Sequence, residues 1–328
     1  MKTQLIGIGA CSPKTVLTNE DLSHMVDTSD EWIRTRSGIL SRHIAGEEES
    51  IISMGRAAAE EALRHAGVSA EEVGCIVMCS TSPTQIFPAG ACLLQQALNC
   101  RKAFAFDLQA ACSGLLYALQ TARGLLGVME HCRYALVVAS EKMSAMVDWT
   151  SRDTCVLFGD GACAFLLERN DGLPENFPAC ELYSDGEFAD RLQIPAGGSL
   201  KPATSETVAN REHFVRMDGK VIFKQAVQCM SESASSLLSS SHVRPEEIRF
   251  LVPHQANIRI VEAVAQNLGM KDRLYVNLQH HGNTCSASIG LALYEMAREG
   301  KLKKEDLLLL VTAGAGLTWG AMLLRWPF

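Results

Sequence analysis

The sequence has no Cys-x-x-Cys pair, no run of basic residues and no unbroken apolar stretch of membrane-spanning length. Each absence removes a class of protein. Thirty Lys and Arg stand against 37 Asp and Glu, a net charge of −7, which argues against a nucleic-acid partner. Two stretches are free of charge, Val73–Cys100 and Leu307–Leu324. Pro83, Pro88 and Gly90 interrupt the first, and "TAGAGLTWG" breaks the second. A spanning helix needs about 20 predominantly apolar residues, so both read as buried strand and turn, and no membrane association is expected. The opening "MKTQLIGIGACSP" is too short and Gly-rich for a secretory signal and reads as a first strand.

Twelve cysteines are present, none at zinc-ligand spacing, and His280–His281 has no partner cluster in sequence. A disulfide framework belongs to small secreted chains. At 328 residues this chain is not small, so its cysteines read as reduced thiols of a cytoplasmic protein, and no metal is expected. A reactive cysteine among them must be found by context.

Hydrophobic residues make up 47% of the chain and charged residues 20%, as in an ordinary globular enzyme. Helical and strand patterns alternate. Helices are expected at 51–67, 89–99, in the run after Cys112, and at 220–241, 259–269 and 283–300. Strands are expected at 74–80, 102–108, 134–140, 159–169, 248–253, 273–278, 307–313 and 316–326. Alternation of this kind predicts βαβ units with parallel pairing. "ACSGLLYAL" in the first half echoes "CSASIGLALYEMA" in the second, which suggests a duplicated α/β unit. The halves are expected at 1–170 and 171–328. Loops over the site are expected within 170–218, which is rich in Pro, Gly, Asn and charge.

Polar groups sit where three buried strands end. Cys112 lies in "DLQAACSGLLYALQTARG", uncharged from Leu108 to Ala122. It is either a packed core thiol or a thiolate favoured by a helix start, where free N–H groups and the dipole lower a thiol pKa. His254 follows the apolar "LVP" and is either a hydrogen-bonded core histidine or a donor to substrate. Asn283, in "HHGNTCSAS", is either a helix cap or an amide aimed at a developing oxyanion. If the halves are related by a pseudo-twofold, Cys112 and Asn283 stand on equivalent helix starts. Ligands of open α/β sheets bind beyond the strand ends. A Cys, a His and an Asn converging there make an acyl-transfer and condensation site.

The motifs "TSDEWIRTRSGILSRHIA" (28–45), "ACSGLLYAL" (111–119), "FGDGA" (158–162), "VPHQANIRI" (252–260), "HGNTCSAS" (281–288) and "GAGLTWG" (314–320) run in order along the chain. In these the chain resembles the β-ketoacyl-[acyl-carrier-protein] synthase III family of the thiolase superfamily. The resemblance implies an α/β thiolase-like fold, two duplicated βαβ-rich halves with mixed sheets in α/β/α/β/α layers. The nucleophile would lie in the first half, and the His and Asn in the second. It implies initiation of type II fatty acid synthesis, with no cofactor and with acyl-CoA and malonyl-acyl carrier protein as partners. Cys112 would carry the acyl group. His254 and Asn283 would stabilise the enolate formed by malonyl decarboxylation. Backbone N–H groups of Cys112 and Ala315 would hold the tetrahedral oxyanion. Trp32, Arg36 and Arg152 would hold the CoA adenine, and Asn257 the pantetheine. Phe87 would line the acyl pocket, across a homodimer interface. Arg259 and Lys224 would meet the acidic carrier.

Two departures qualify the resemblance. Ala313 stands where family members carry an aromatic before the Gly-rich turn, and Gln266 and Asn267 replace a pair of carrier-docking lysines. Both leave room for a related condensing or acyl-transfer enzyme of a specialised pathway, such as quinolone or polyketide synthesis. A non-catalytic subunit of the same fold would lack the nucleophile, and Cys112 is present.

Overall fold

A computed structural model describes every residue except Met1, Asp171, Leu173 and Pro174. Two sheets carry the fold. The first contains β1 (Thr3–Cys11), β2 (Val73–Cys79), β3 (Phe104–Leu108), β4 (Tyr134–Lys142) and β5 (Asp160–Arg169), in the order β1-β5-β4-β2-β3. The second contains β6 (Ala179–Ser184), β7 (Phe250–Pro253), β8 (Leu307–Gly314) and β9 (Thr318–Arg325), in the order β7-β8-β9-β6. The expected boundary at 170/171 falls on Asp171, outside the described residues.

Pairing is mixed rather than parallel throughout. Strand β2 runs parallel to β3 and β4, and β7 parallel to β8. The β1–β5, β4–β5, β8–β9 and β9–β6 pairs are antiparallel. Three layers of helix enclose the sheets. Helices α1 (Ile51–Ala66) and α2 (Gly90–Leu98) cover the outer face of the first sheet, and α4 (Gly219–Ser240) with α5 (Ile258–Asn267) the outer face of the second. Between the sheets lie α3 (Gly114–Val128) and α6 (Ser288–Arg298).

The middle layer explains the charge-free stretch. A helix apolar all round is one buried on both sides. Leu115, Leu116, Ala118, Leu119 and Ala122 of α3 are buried together with Ile289, Leu291, Ala292 and Leu293 of α6 in one core that draws on both sheets. The outer helices need only one apolar face, which packs in separate clusters on the far side of each sheet.

One expected strand does not form. At 273–278 ("RLYVNL") there is a single bridge from Leu274 to Leu251, and Leu278–His281 is a short helix. A buried side chain replaces the ladder here. Gln255 Oε1 accepts the Asn277 N–H at 3.1 Å, and Gln255 Nε2 donates to the Tyr275 carbonyl at 3.3 Å. Among the described residues no helix is long and apolar enough to cross a membrane.

Close approach in the middle layer depends on Gly290 of α6. A Cβ there would lie 2.1 Å from Cys163 Sγ and 2.6 Å from Cys163 Cβ on β5. Overpacking of this kind costs about 1–3 kcal/mol. Gly290→Ala is therefore expected to lower the urea midpoint with an unchanged m-value. An unshifted midpoint would show that β5 yields without cost.

Candidate active site

Strand β3 ends at Leu108, and the backbone turns sharply at Ala111, whose φ of +46° is left-handed without glycine. A single 3-10 turn, Ala111–Ser113, leads into α3 and carries Cys112 in its middle. The second half repeats this device. Cys285 has φ +48°, the 3-10 turn is Cys285–Ala287, and α6 follows. The equivalent of Cys112 is thus Ser286, and the expected equivalence with Asn283 is corrected. Asn283 lies outside the turn because its side chain closes it. Its Oδ1 accepts the Cys285 N–H at 2.9 Å, a local Asx bond. Its backbone is pinned to the first half by Asn283 N–H to Leu157 O and Gly159 N–H to Asn283 O, at 2.8 and 3.1 Å. The side chain presents its remaining amide group to the cavity.

His254 follows β7, and its backbone N–H donates to Val311 O at 2.8 Å on β8. The ring is buried, with Nδ1 2.6 Å from Ser288 Oγ, the first residue of α6. The same oxygen accepts the Gln255 N–H at 3.3 Å. When the Ser288 hydroxyl donates to Nδ1, a neutral ring carries its proton on Nε2, as a donor.

The turn between β8 and β9 clamps Cys112 from the second sheet. A Cβ on Gly314 would stand 2.7 Å from Cys112 N and 3.0 Å from Ser113 N, so backbone meets backbone there. The Thr312 hydroxyl donates to Cys112 O at 3.2 Å, Ser113 Oγ to Thr318 O at 2.9 Å, and Thr318 Oγ1 to Ala110 O at 2.8 Å. Ala315 lies in this turn and lines the same cavity.

Cys112 Sγ is 3.2 Å from Cys285 Sγ. A hydrogen bond from the Cys285 thiol, and after it the neighbouring His254 imidazole, hold the Cys112 thiol well below the ordinary cysteine range against its burial. Burial and the charge on Cys112 push the Cys285 thiol up. The two shifts run in opposite directions, and Cys112 is the sulfur whose surroundings favour the thiolate. Cys285 also lies 3.0 Å from Thr81 Oγ1, which donates to the buried Glu141 at 3.2 Å. Cys285, Thr81, Glu141 and Ser288 are site residues that the sequence did not single out. The signal for Cys285 and Ser288 was their place in "HGNTCSAS". Nothing in sequence spacing points to Thr81 or Glu141.

These groups open on one cavity of about 920 Å³, within the range of small-molecule sites. Cys112, His254, Asn283, Ala313 and Ala315 line it, with an apolar wall that includes Met146, Leu157, Leu192, Ile194, Val215 and Met217. Trp32 and Arg36 also line it. The Arg36 and Arg152 guanidinium carbons lie 5.7 and 5.0 Å from the Trp32 ring centroid. Arg259 lines the cavity with its guanidinium over Phe223, 5.5 Å from the centroid.

Asn257 lines the cavity, and its amide also caps α5, with Oδ1 accepting Arg259 N–H at 2.9 Å and Nδ2 donating one of its two hydrogens to Arg36 O at 3.1 Å. Lys224 is exposed, one turn of α4 beyond Lys220, which lines the cavity. Phe87 is 83% exposed beside Ile86 at 82%, on the surface rather than in this chain's own cavity. Among the described residues no group of three or more His, Cys, Asp or Glu is placed to hold a metal ion.

Residues 106–186 match the family model described as 3-Oxoacyl-[acyl-carrier-protein (ACP)] synthase III, and 238–326 match that of its C-terminal part. The beta-ketoacyl-[acyl-carrier-protein] synthase III of Aquifex aeolicus is 43% identical over 327 residues, 99% of this chain and all of that protein. That of Natranaerobius thermophilus is 42% identical over 326 residues, 98% of this chain and 99% of the relative. The crystal structure of the Aquifex aeolicus protein superposes with a TM-score of 0.89 at 43% identity, covering 99% of this chain and all of that one. A priming β-ketosynthase of the R1128 polyketide pathway superposes with a TM-score of 0.91 at 31% identity, over 99% of this chain and 96% of that one. Relatives of this identity cover nearly the whole chain, and on that likeness it belongs to the 3-oxoacyl-[acyl-carrier-protein] synthase III family.

Proposed function

We propose that this chain condenses an acyl-CoA primer with malonyl-[acyl-carrier-protein], the initiating step of type II fatty acid synthesis. It releases CoA and CO2 and leaves 3-oxoacyl-[acyl-carrier-protein]. The observation that carries the reading is the meeting of Cys112, His254 and Asn283 at one cavity with Trp32 and two arginines at its edge.

The Cys112 thiolate attacks the thioester carbon of acyl-CoA. The carbon–sulfur bond to CoA breaks, CoA leaves as its thiolate and takes a proton from solvent, and the acyl group rests on Cys112. The tetrahedral oxyanion of this step faces the backbone N–H groups of Cys112 and Ala315, which the Gly314 contact holds in one register. The malonyl thioester then occupies the same space. Its carboxylate leaves as CO2, and negative charge collects on the thioester oxygen. His254 Nε2–H and Asn283 Nδ2 are the donors to that oxygen. The enolate carbon attacks the acyl-Cys112 carbonyl, and Cys112 leaves as a thiolate.

An adenine ring stacks on Trp32 by displacing Arg152, whose guanidinium then covers its other face. Arg259, with Lys220 and Lys224 near the mouth, offers positive charge to an acidic carrier. The exposed Phe87 supports a homodimer in which each chain's Phe87 closes the partner's acyl pocket. Twelve free thiols suit a reducing cytoplasm. Ala313 widens the cavity beside Phe223, Ala226 and Met230, and so supports primers larger than acetyl.

Incubation with acetyl-CoA is expected to add one acetyl mass, mapped to Cys112, and Cys112→Ser to abolish condensation. An acyl group mapped to another cysteine sinks the assignment. His254→Ala and Asn283→Ala are each expected to acylate Cys112 yet decarboxylate malonyl thioester about 100-fold or more slowly. A variant that loses acylation and keeps decarboxylation would reverse these roles. Ala313→Phe is expected to raise the ratio of kcat/KM for acetyl-CoA over octanoyl-CoA. An unchanged ratio means that Ala313 does not bound the acyl space.

A further inference from the structure

Condensation uses one of the two sulfurs at the cavity floor. The second belongs to Cys285, 173 residues away in sequence and 3.2 Å away in space. Its position is tightly specified. Its backbone is held at φ +48° and bonded to Asn283 Oδ1. Its sulfur rests against Thr81 Oγ1, and Thr81 is tied to Glu141 through both N–H and hydroxyl. Both sulfurs line the cavity, so a small solute that reaches one reaches the other. Cys112 alone of these thiols is held low, since burial pushes those of Cys75, Cys163 and Cys180 up to about 12.

We propose that Cys112 and Cys285 form a peroxide-responsive pair, in which Cys285 captures oxidised Cys112 as a reversible disulfide across the two halves. The Cys112 thiolate attacks one oxygen of hydrogen peroxide. The O–O bond breaks, hydroxide leaves and is protonated to water, and Cys112 becomes a sulfenic acid. Cys285 sulfur then attacks Cys112 sulfur. The S–S bond forms, the S–O bond breaks, and the departing hydroxyl takes the Cys285 proton as a second water. Two thiols and one peroxide give one disulfide and two waters, the sulfurs supplying both electrons. The sulfurs close by about 1 Å to reach bonding distance. A dithiol reductant restores both thiols.

The disulfide occupies the nucleophile, so acylation stops. It also intercepts the sulfenic acid before a second peroxide makes an irreversible sulfinic acid. An acyl group on Cys112 removes the thiolate, so a loaded enzyme resists the oxidant.

The test treats the reduced full-length chain with hydrogen peroxide, quenches by alkylation and maps peptides without reduction. Acylation by acetyl-CoA is followed by intact mass. The expected product joins the Cys112 and Cys285 peptides and is two hydrogens lighter. Acylation is lost and returns with dithiothreitol, and prior acetylation prevents the link. In Cys285→Ser the same treatment is expected to add two or three oxygens to Cys112, with no recovery. If that variant does not acylate before treatment, the wild-type map decides alone. Direct passage of wild-type Cys112 to sulfinic acid, a disulfide between other cysteines, or full recovery of Cys285→Ser overturns the proposal. The map reads a bond and not turnover, so this inference fails separately from the condensation reading.

Discussion

The contact of Gly314 with the backbone of Cys112 and Ser113 is the constraint on which the rest of the site depends. Two turns from opposite sheets meet there with no side chain between them, since a Cβ would come within 2.7 Å of Cys112 N. Thr312, Thr318 and Ser113 secure the meeting with hydroxyl bonds to carbonyls across the halves. Such bonds leave few buried carbonyls unpaired and hold the two backbones in one register. The oxyanion donors, the thiol and the acyl carbonyl they serve are thus positioned by backbone geometry rather than by flexible side chains.

Charge at the cavity floor follows from what lies beneath it. Glu141 is fully buried and accepts from Thr81, Ser82 and Ser286 through hydroxyl and N–H groups. Burial pushes its carboxyl up, and those hydrogen bonds oppose the rise. Burial and the charge on Cys112 raise the Cys285 thiol, with the charge of Glu141 adding to the rise, while His254 favours charge on Cys112. A nucleophile and a captive thiol therefore come from two residues of the same type, distinguished only by their neighbours.

Much of this was legible in the chain. The charge-free run from Leu108 to Ala122 marked an apolar helix after Cys112, and the structure buries α3 between two sheets. Buried strands at 74–80, 134–140 and 307–313 appeared as apolar runs because the sheets are covered on both faces. The strand expected at 273–278 was misread because its apolar residues alternate as a strand's do, and only tertiary packing shows Gln255 taking the place of a ladder partner. Equating Asn283 with Cys112 went wrong for a related reason. The repeat is visible in sequence, but its register is set by backbone turns at Ala111 and Cys285, which neither residue type announces.

The sequence by itself determined local character: which segments are buried, where small residues open helices, and that Cys112, His254 and Asn283 each stand where an apolar stretch ends. Periodicity and turn chemistry act over a few residues, so a sequence displays them directly. Only the tertiary structure decided which polar groups meet. Cys285 counted as one more core thiol until the two halves closed and brought its sulfur to 3.2 Å from Cys112. Phe87 was expected at an acyl pocket across a homodimer interface, and its exposure in the single chain shows only after folding. Pair distances between residues far apart in the chain come from the packing of whole layers, and no local pattern encodes them.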